Sequence, residues 1–66
     1  MPPIGENIKR IRKEKSLSQD KLSKLADLSL NTAVKLELDK SPNPTLETLQ
    51  TVAKALNTNI HELVSN

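Results

Sequence analysis

The chain contains no phenylalanine, tyrosine or tryptophan, and this absence restricts the core that its 66 residues can build. Leucine, isoleucine, valine and alanine must supply almost all of the buried surface. Aromatic residues are among the strongest strand formers, so their absence favours a helical bundle over a sheet. It also argues against a single-stranded nucleic acid as ligand, because such ligands stack their bases on aromatic rings.

The small size of the chain calls for a further source of stability. A domain this short buries only about 60% of the surface that its unfolded chain exposes. There is no cysteine, which excludes disulfides and thiolate metal sites, and the one histidine, His61, has no evident set of carboxylates beside it. We therefore predict no cofactor and no metal, and we expect association with another chain.

Several functional classes do not fit the sequence. The longest apolar runs are two or three residues, so no transmembrane segment or signal peptide is predicted, and we expect a soluble cytoplasmic protein. Gly5 is the only glycine, which excludes a phosphate-binding glycine loop, and no Ser/His/Asp arrangement is indicated. The chain is also too small for a drug-sized pocket. An enzyme is not predicted.

Positive charge is concentrated in the first part of the chain. Residues 1–24 contain seven basic and three acidic residues, a net charge of +4, whereas residues 25–66 carry a net charge of −2. One basic end suits a polyanionic partner, but a solvated helix face gives the same pattern.

Apolar spacing and capping residues predict an all-α fold of five short helices. They span about residues 4–15, 19–26 and 30–38, followed by one helix after Thr45 and one after Asn59. The predicted N-caps are Ser18, Ser29, Thr45 and Asn59, and the predicted left-handed turn residues are Asp27 and Asn57. Residues 1–3 are interpreted as an N-terminal arm and residues 4–66 as one domain.

The third predicted helix has two different sides. At about 100° per residue, Ala33 and Leu36 share one side, and we expect them in the core with Leu22, Leu25 and Leu28. The opposite side carries Leu30, Asn31, Val34, Lys35 and Leu38.

The apolar residues of that opposite side, Leu30, Val34 and Leu38, form what we call the outer ridge. A monomer would leave this ridge in water. Either another protein covers it, or it enters the major groove of DNA, where apolar side chains contact thymine methyl groups. Asn31 suits an adenine edge and Lys35 suits guanine O6 and N7. Two short helices at a tight turn, the second projecting outward, match a helix-turn-helix.

The sequence resembles the Xre/Cro family of phage-repressor-type helix-turn-helix domains over about residues 4–64. The resemblance rests on "IGENIKRIRKEKSLSQDKLSKLADLS", then "KLE", then "NPTLETLQTVAKALNTNIHEL". It implies a lambda-repressor-like bundle of five helices in which helices 2 and 3 form the motif. It also implies that the protein is a DNA-binding regulator.

The resemblance assigns roles to residues at matching positions. Leu30, Asn31, Val34 and Lys35 stand where family members contact bases. The implied phosphate contacts are Gln19, Thr32, Lys40, Ser41, Asn43, Arg10 and Lys13, with Gln19 also supporting a base-reading residue. The implied dimer interface, around residues 56–64, includes Leu56, Asn57, Ile60 and Val64.

Three departures from the family pattern bear on recognition and stability. Asp27 stands in place of the turn glycine, Ala33 in place of a branched aliphatic residue, and Leu38-Asp39 in place of the loop glycine. They predict an unusual groove face or reduced stability rather than a different fold.

Two functional hypotheses follow. The first is a sequence-specific regulator of double-stranded DNA, most simply a repressor, that binds a pseudo-palindromic operator as a homodimer. The second is a protein-interaction module or antitoxin whose outer ridge binds a partner protein. Neither hypothesis involves a membrane.

Overall fold

The structure, a computed structural model, describes residues 3–38 and 44–65. Within those ranges the chain forms five helices and no strand: α1 (Ile4–Glu14), α2 (Gln19–Leu25), α3 (Leu30–Glu37), α4 (Leu46–Ala55) and α5 (Ile60–Val64). The all-α prediction is confirmed. Three of the residues implied as phosphate contacts, Lys40, Ser41 and Asn43, lie outside the described residues, as does Asp39.

The predicted N-caps explain where four of the helices begin. The side chains of Ser18, Ser29, Thr45 and Asn59 accept hydrogen bonds from the backbone N–H groups of Lys21, Thr32, Thr48 and Glu62. Each bond satisfies a donor that the first turn of a helix leaves without an intrahelical partner. These residues therefore fix the helix starts independently of the core.

The core lies between the helices and is aliphatic, as predicted. Its largest fully buried side chains are those of Val52, Leu63, Ile8, Leu56 and Leu22, each with no more than 2% of its surface exposed. Helix α1 packs against both α3 and α5, and α2 packs against α3 and α4. Among the described residues, every buried side-chain nitrogen and oxygen has a hydrogen-bond partner.

The expected core position of Leu25 is wrong. Leu25 is 52% exposed, because the buried side of α2 is centred on Leu22, Ser23 and Ala26. Leu25 lies about 100° around the helix axis from Ala26, which turns it into solvent. Leu28 is half-buried and packs on the core as expected.

None of the helices within residues 3–38 and 44–65 has the length and apolar character needed to span a lipid bilayer.

Candidate nucleic-acid interface

Helix α3 divides into a buried side and an exposed side, as its sequence predicts. Ala33 and Leu36 are only 1% and 5% exposed, whereas Leu30 and Leu38 are 46% and 60% exposed. Asn31 and Lys35 are exposed and Val34 is half-buried. The four implied base contacts, Leu30, Asn31, Val34 and Lys35, therefore all have surface that a ligand can reach.

The start of α3 is fixed by two hydroxyl groups. Ser29 Oγ accepts a hydrogen bond from the Thr32 backbone N–H at 3.1 Å and donates one to Thr32 Oγ1 at 2.8 Å. Thr32 is thus held at the first turn, beside Leu30 and Asn31. An implied phosphate contact and two implied base contacts lie on one capped turn.

A buried ion pair joins the last residue of α3 to α1. Arg12 Nε donates to Glu37 Oε2 at 2.6 Å, and Arg12 Nη2 donates to Glu37 Oε1 at 3.1 Å. The two side chains are 10% and 2% exposed. Two parallel bonds of this kind fix both the distance and the orientation of the partners.

The same carboxylate also binds Gln19, the first residue of α2. Gln19 Nε2 donates to Glu37 Oε1 at 3.2 Å, and Arg12 Nη1 donates to the Leu17 carbonyl at 2.7 Å. We call Arg12, Glu37 and Gln19 the carboxylate network. It connects α1, the segment before α2, the start of α2 and the end of α3.

The carboxylate network was not predicted, although the sequence carries a signal for it. Arg12 lies about 40° from Ile8 around the axis of α1, and Glu37 lies about 40° from Ala33 on α3. Opposite charges at the edges of two apolar faces indicate an ion pair between those helices. Arg12 is also one of the seven basic residues of the segment 1–24, and this obscures its role as a partner of Glu37.

The basic side chains of α1 do not all face the same neighbour. Arg12 marks the side of α1 that faces α3, and Asn7, which donates to the carbonyls of Leu63 and Ser65, marks the side towards α5. By helix geometry Lys13 lies about 100° from Arg12, whereas Arg10 lies about 160° from Arg12 and about 60° from Asn7. Arg10 also pairs with Glu14 at 3.3 Å. Of the two implied phosphate contacts on α1, Lys13 is therefore nearer to the side of α3.

The residues of the implied dimer interface differ in exposure. Leu56 belongs to the core and is only 1% exposed, so its side chain has no surface to offer a second copy. Asn57 is exposed, and Ile60 and Val64 are half-buried residues that pack on the core from outside. Of the four residues implied as the dimer interface, Asn57, Ile60 and Val64 have side-chain surface available for a contact, and Leu56 does not.

A protein-family comparison agrees with this geometry. The helix-turn-helix family model matches residues 8–63, which include all of α2, α3 and α4. The chain belongs to this family. Its helix-turn-helix is formed by α2 and α3, and the resemblance to Xre/Cro-type domains is confirmed at the level of the family.

Two curated relatives are regulators. The chain is 41% identical over 61 residues to the immunity repressor protein of Bacillus phage phi105, covering 92% of this chain and 42% of the relative. It is 31% identical over 62 residues to the HTH-type transcriptional regulator SinR of Bacillus licheniformis, covering 94% of this chain and 56% of that protein. The chain spans about half the length of these relatives.

Solved structures of similar fold include SinR in two assemblies. The SinR/SinI protein complex gives a TM-score of 0.89 at 30% identity, covering 96% of this chain and 61% of the other. SinR in complex with DNA gives a TM-score of 0.88 at 31% identity, covering 94% and 98%. The five-helix helix-turn-helix fold is therefore shared with regulators whose identity to this chain is about one third.

Proposed function

We propose that this helix-turn-helix protein is a sequence-specific DNA-binding transcriptional regulator that inserts α3 into the major groove. The observation that carries the proposal is the division of α3: Ala33 and Leu36 hold it to the core, while Asn31 and Lys35 are exposed. A recognition helix needs both, a side fixed to the domain and a side free for base edges. The similarity to a phage immunity repressor and to SinR, including SinR in complex with DNA, supports the proposal.

The exposed side of α3 suits a half-site of mixed composition. Asn31 matches the donor and acceptor of an adenine edge, and Lys35 matches guanine O6 and N7. Four helical residues advance about 6 Å along the axis, or roughly two base-pair steps. Leu30 and Val34 would contact thymine methyl groups between and beside those bases.

Phosphate contacts would hold the domain in register. We assign this role to Gln19, Thr32 and Lys13, together with Lys40, Ser41 and Asn43 of the α3–α4 connection. Arg10 is the weakest member of the implied set, since it is turned towards α5 and is paired with Glu14. Such contacts supply affinity that falls steeply with salt but carry little sequence information.

We further propose that the regulator is a homodimer in the cytoplasm that represses by covering an operator, with no catalytic step. Asn57, Ile60 and Val64 would form the contact between copies. A two-fold dimer places its recognition helices about 34–36 Å apart, one turn of DNA. The operator would then be pseudo-palindromic.

Selection from a pool of random duplexes, followed by sequencing of the retained molecules, tests this function. Enrichment of two half-sites about 10 bp apart is the expected result. Retention without an enriched sequence would contradict sequence-specific binding. Failure to retain duplexes at low salt would contradict DNA binding altogether.

A second candidate function is binding of a partner protein by the outer ridge. Leu38 is 60% exposed and Leu30 is 46% exposed, and SinR has been solved in a complex with the protein SinI. A charge reversal distinguishes the two functions: Lys35→Glu should abolish duplex binding, because it places a carboxylate against an anionic groove. Unchanged duplex affinity for Lys35→Glu would contradict the groove assignment and favour a protein partner on the ridge.

A further inference from the structure

Glu37 is the residue at which two parts of the proposed DNA interface meet. We infer that its carboxylate is a positioning group that holds the Gln19 amide ready for a DNA phosphate while fixing the end of α3. The inference rests on the proposed function, because it assigns the residue that orients one of the proposed phosphate contacts.

The position of the Glu37 carboxylate is itself determined from two sides. Arg12 donates hydrogen bonds to both carboxylate oxygens, at 2.6 Å and 3.1 Å, and the Glu37 side chain is only 2% exposed. Arg12 is in turn bound to the Leu17 carbonyl at 2.7 Å. Because Leu17 comes just before the N-cap of α2, the carboxylate is fixed relative to the start of that helix.

Gln19 uses this fixed carboxylate as an anchor. Its Nε2 donates to Glu37 Oε1 at 3.2 Å from the first residue of α2, and its side chain is half-buried. A primary amide carries two N–H groups, so one remains to donate outward while the other is bound. A long side chain that is already ordered loses less rotamer freedom when it binds a ligand. The network therefore orders the Gln19 side chain in the DNA-free protein.

Charge balance alone does not explain the third member of the network. Arg12 already neutralises Glu37 through two hydrogen bonds, and a buried ion pair can often be replaced by well-packed apolar residues without loss of stability. The bond from Gln19 adds order to a side chain at the edge of the proposed interface. The bond also satisfies a lone pair of the buried carboxylate, and at the same time it leaves the Gln19 side chain ordered beside the proposed interface.

The first test compares the two glutamines of the chain in the free protein. Gln50 is exposed on α4 and serves as an internal control for Gln19. Nitrogen-15 relaxation of the side-chain amides should give Gln19 an order parameter close to that of rigid backbone, about 0.85, and Gln50 a value below about 0.6. Equal mobility of the two amides would overturn the inference without any mutation.

The second test asks whether the contribution of Gln19 to DNA affinity depends on Glu37. The change in duplex affinity caused by Gln19→Ala is measured in the unmodified chain and in the double variant Arg12→Met plus Glu37→Met. The duplex is the one obtained by selection. We expect Gln19→Ala to weaken binding about tenfold in the unmodified chain, as for one charge-assisted hydrogen bond. In the double variant, where its anchor is absent, the same change should weaken binding less than about twofold.

Lys13→Ala is the matched control, because Lys13 is exposed on α1 and is not a member of the network. Its effect should be the same in both backgrounds. If Gln19→Ala also has the same effect in both, Glu37 does not position Gln19 and the inference fails. If the double variant does not fold, the order parameters of the Gln19 and Gln50 side-chain amides decide whether the inference holds. Failure of the unmodified chain to bind any duplex would instead contradict the proposed function.

Discussion

Backbone strain is concentrated at three residues, each directly after the C-cap of a helix. Ser16, Asp27 and Asn57 have φ angles of 58°, 57° and 56°, in the left-handed region that favours glycine. At the α2–α3 turn, the backbone N–H of Asp27 donates a hydrogen bond to the Lys24 carbonyl at 3.2 Å. The N–H of Leu28 donates one to the Ser23 carbonyl at 2.8 Å. This is a Schellman motif, and it requires the left-handed residue.

Replacing these residues with glycine should stabilise the domain to different degrees. A residue with a Cβ atom costs about 1–2 kcal/mol in this conformation, but asparagine and aspartate tolerate it better than serine. We expect Ser16→Gly to raise the free energy of unfolding most, by up to about 1 kcal/mol. Asp27→Gly should raise it by about half as much, and Asn57→Gly should raise it least. For a domain this size, 1 kcal/mol raises the Tm by about 4–8 °C. Thermal unfolding followed by far-UV circular dichroism gives the Tm of each variant. Equal Tm increases for the three variants, or increases in the reverse order, would contradict this account.

The sequence predicts two of these three left-handed residues, because they stand at helix ends that are recognisable from the sequence. Asp27 and Asn57 follow clear apolar runs and precede new N-caps, so their left-handed conformation is predictable. Ser16 is not, because Lys15, Ser16 and Leu17 contain no turn former stronger than serine. The contact of Arg12 with Glu37 is harder to predict, because the helix positions of the two residues allow an ion pair but only the packing of α1 on α3 brings them together.

Two of the basic residues of α1, Arg10 and Lys13, should differ in their effect on DNA binding. Each phosphate contact that is lost reduces the slope of log K against log salt by about 0.9. We expect Lys13→Ala to show this reduction and Arg10→Ala to leave the slope nearly unchanged, because Arg10 lies towards α5 and pairs with Glu14. Titration of a labelled duplex at several salt concentrations measures both variants. A larger reduction for Arg10→Ala would mean that DNA lies on the α5 side of α1.

At the scale of the element, α3 depends on few core contacts. It has eight residues, too few to be a stable helix alone, and of its residues only Leu36 belongs to the central core cluster. Ala33 is buried but small, as the departure from the family pattern indicates. The carboxylate network supplies a further attachment at the last residue of α3, and the Ser29 cap stabilises the first turn locally.

Two leucines near the end of α3 allow a direct test of that dependence. Leu36→Ala should cost about 2–5 kcal/mol, because it opens a cavity under the helix. Leu38→Ala, the same change at a residue that is 60% exposed, should alter stability by no more than about 0.5 kcal/mol. A domain of this length has a total stability of only about 3–10 kcal/mol, so Leu36→Ala should be partly or fully unfolded at room temperature. Circular dichroism with urea measures both, and equal losses would contradict a core attachment through Leu36.

Helix positions were more predictable than helix faces. All five starts agree with the predicted N-caps or the first isoleucine, because capping is local and its residues are recognisable. The sequence places Leu22, Leu25 and Ala26 on one apolar stripe of α2, and only packing against α3 and α4 decides that Leu22 and Ala26 are buried while Leu25 is exposed. The exposure of Leu30, Asn31 and Lys35 on α3 follows from their helical spacing relative to Ala33 and Leu36.

At the scale of the whole molecule, the proposed dimer would align two copies on one face of DNA. The net charge of +4 in residues 1–24 and of −2 in residues 25–66 places most of the attraction for DNA in the first helices. Asn57, Ile60 and Val64 are themselves uncharged, so the proposed contact does not bring like charges of these residues together. Each domain would then contribute one α3 to one half-site.

A spacing series of duplexes tests this arrangement. Two half-sites about 10 bp apart lie on the same face of DNA, whereas a spacing of about 15 bp turns one of them to the opposite face. We expect the first duplex to bind at least about tenfold more tightly than the second, since only there can both copies bind and touch each other. A duplex with a single half-site provides the control, and its affinity should match that of the 15 bp duplex. Equal affinity at both spacings would mean that each copy binds alone, and the proposed contact through α5 would be wrong.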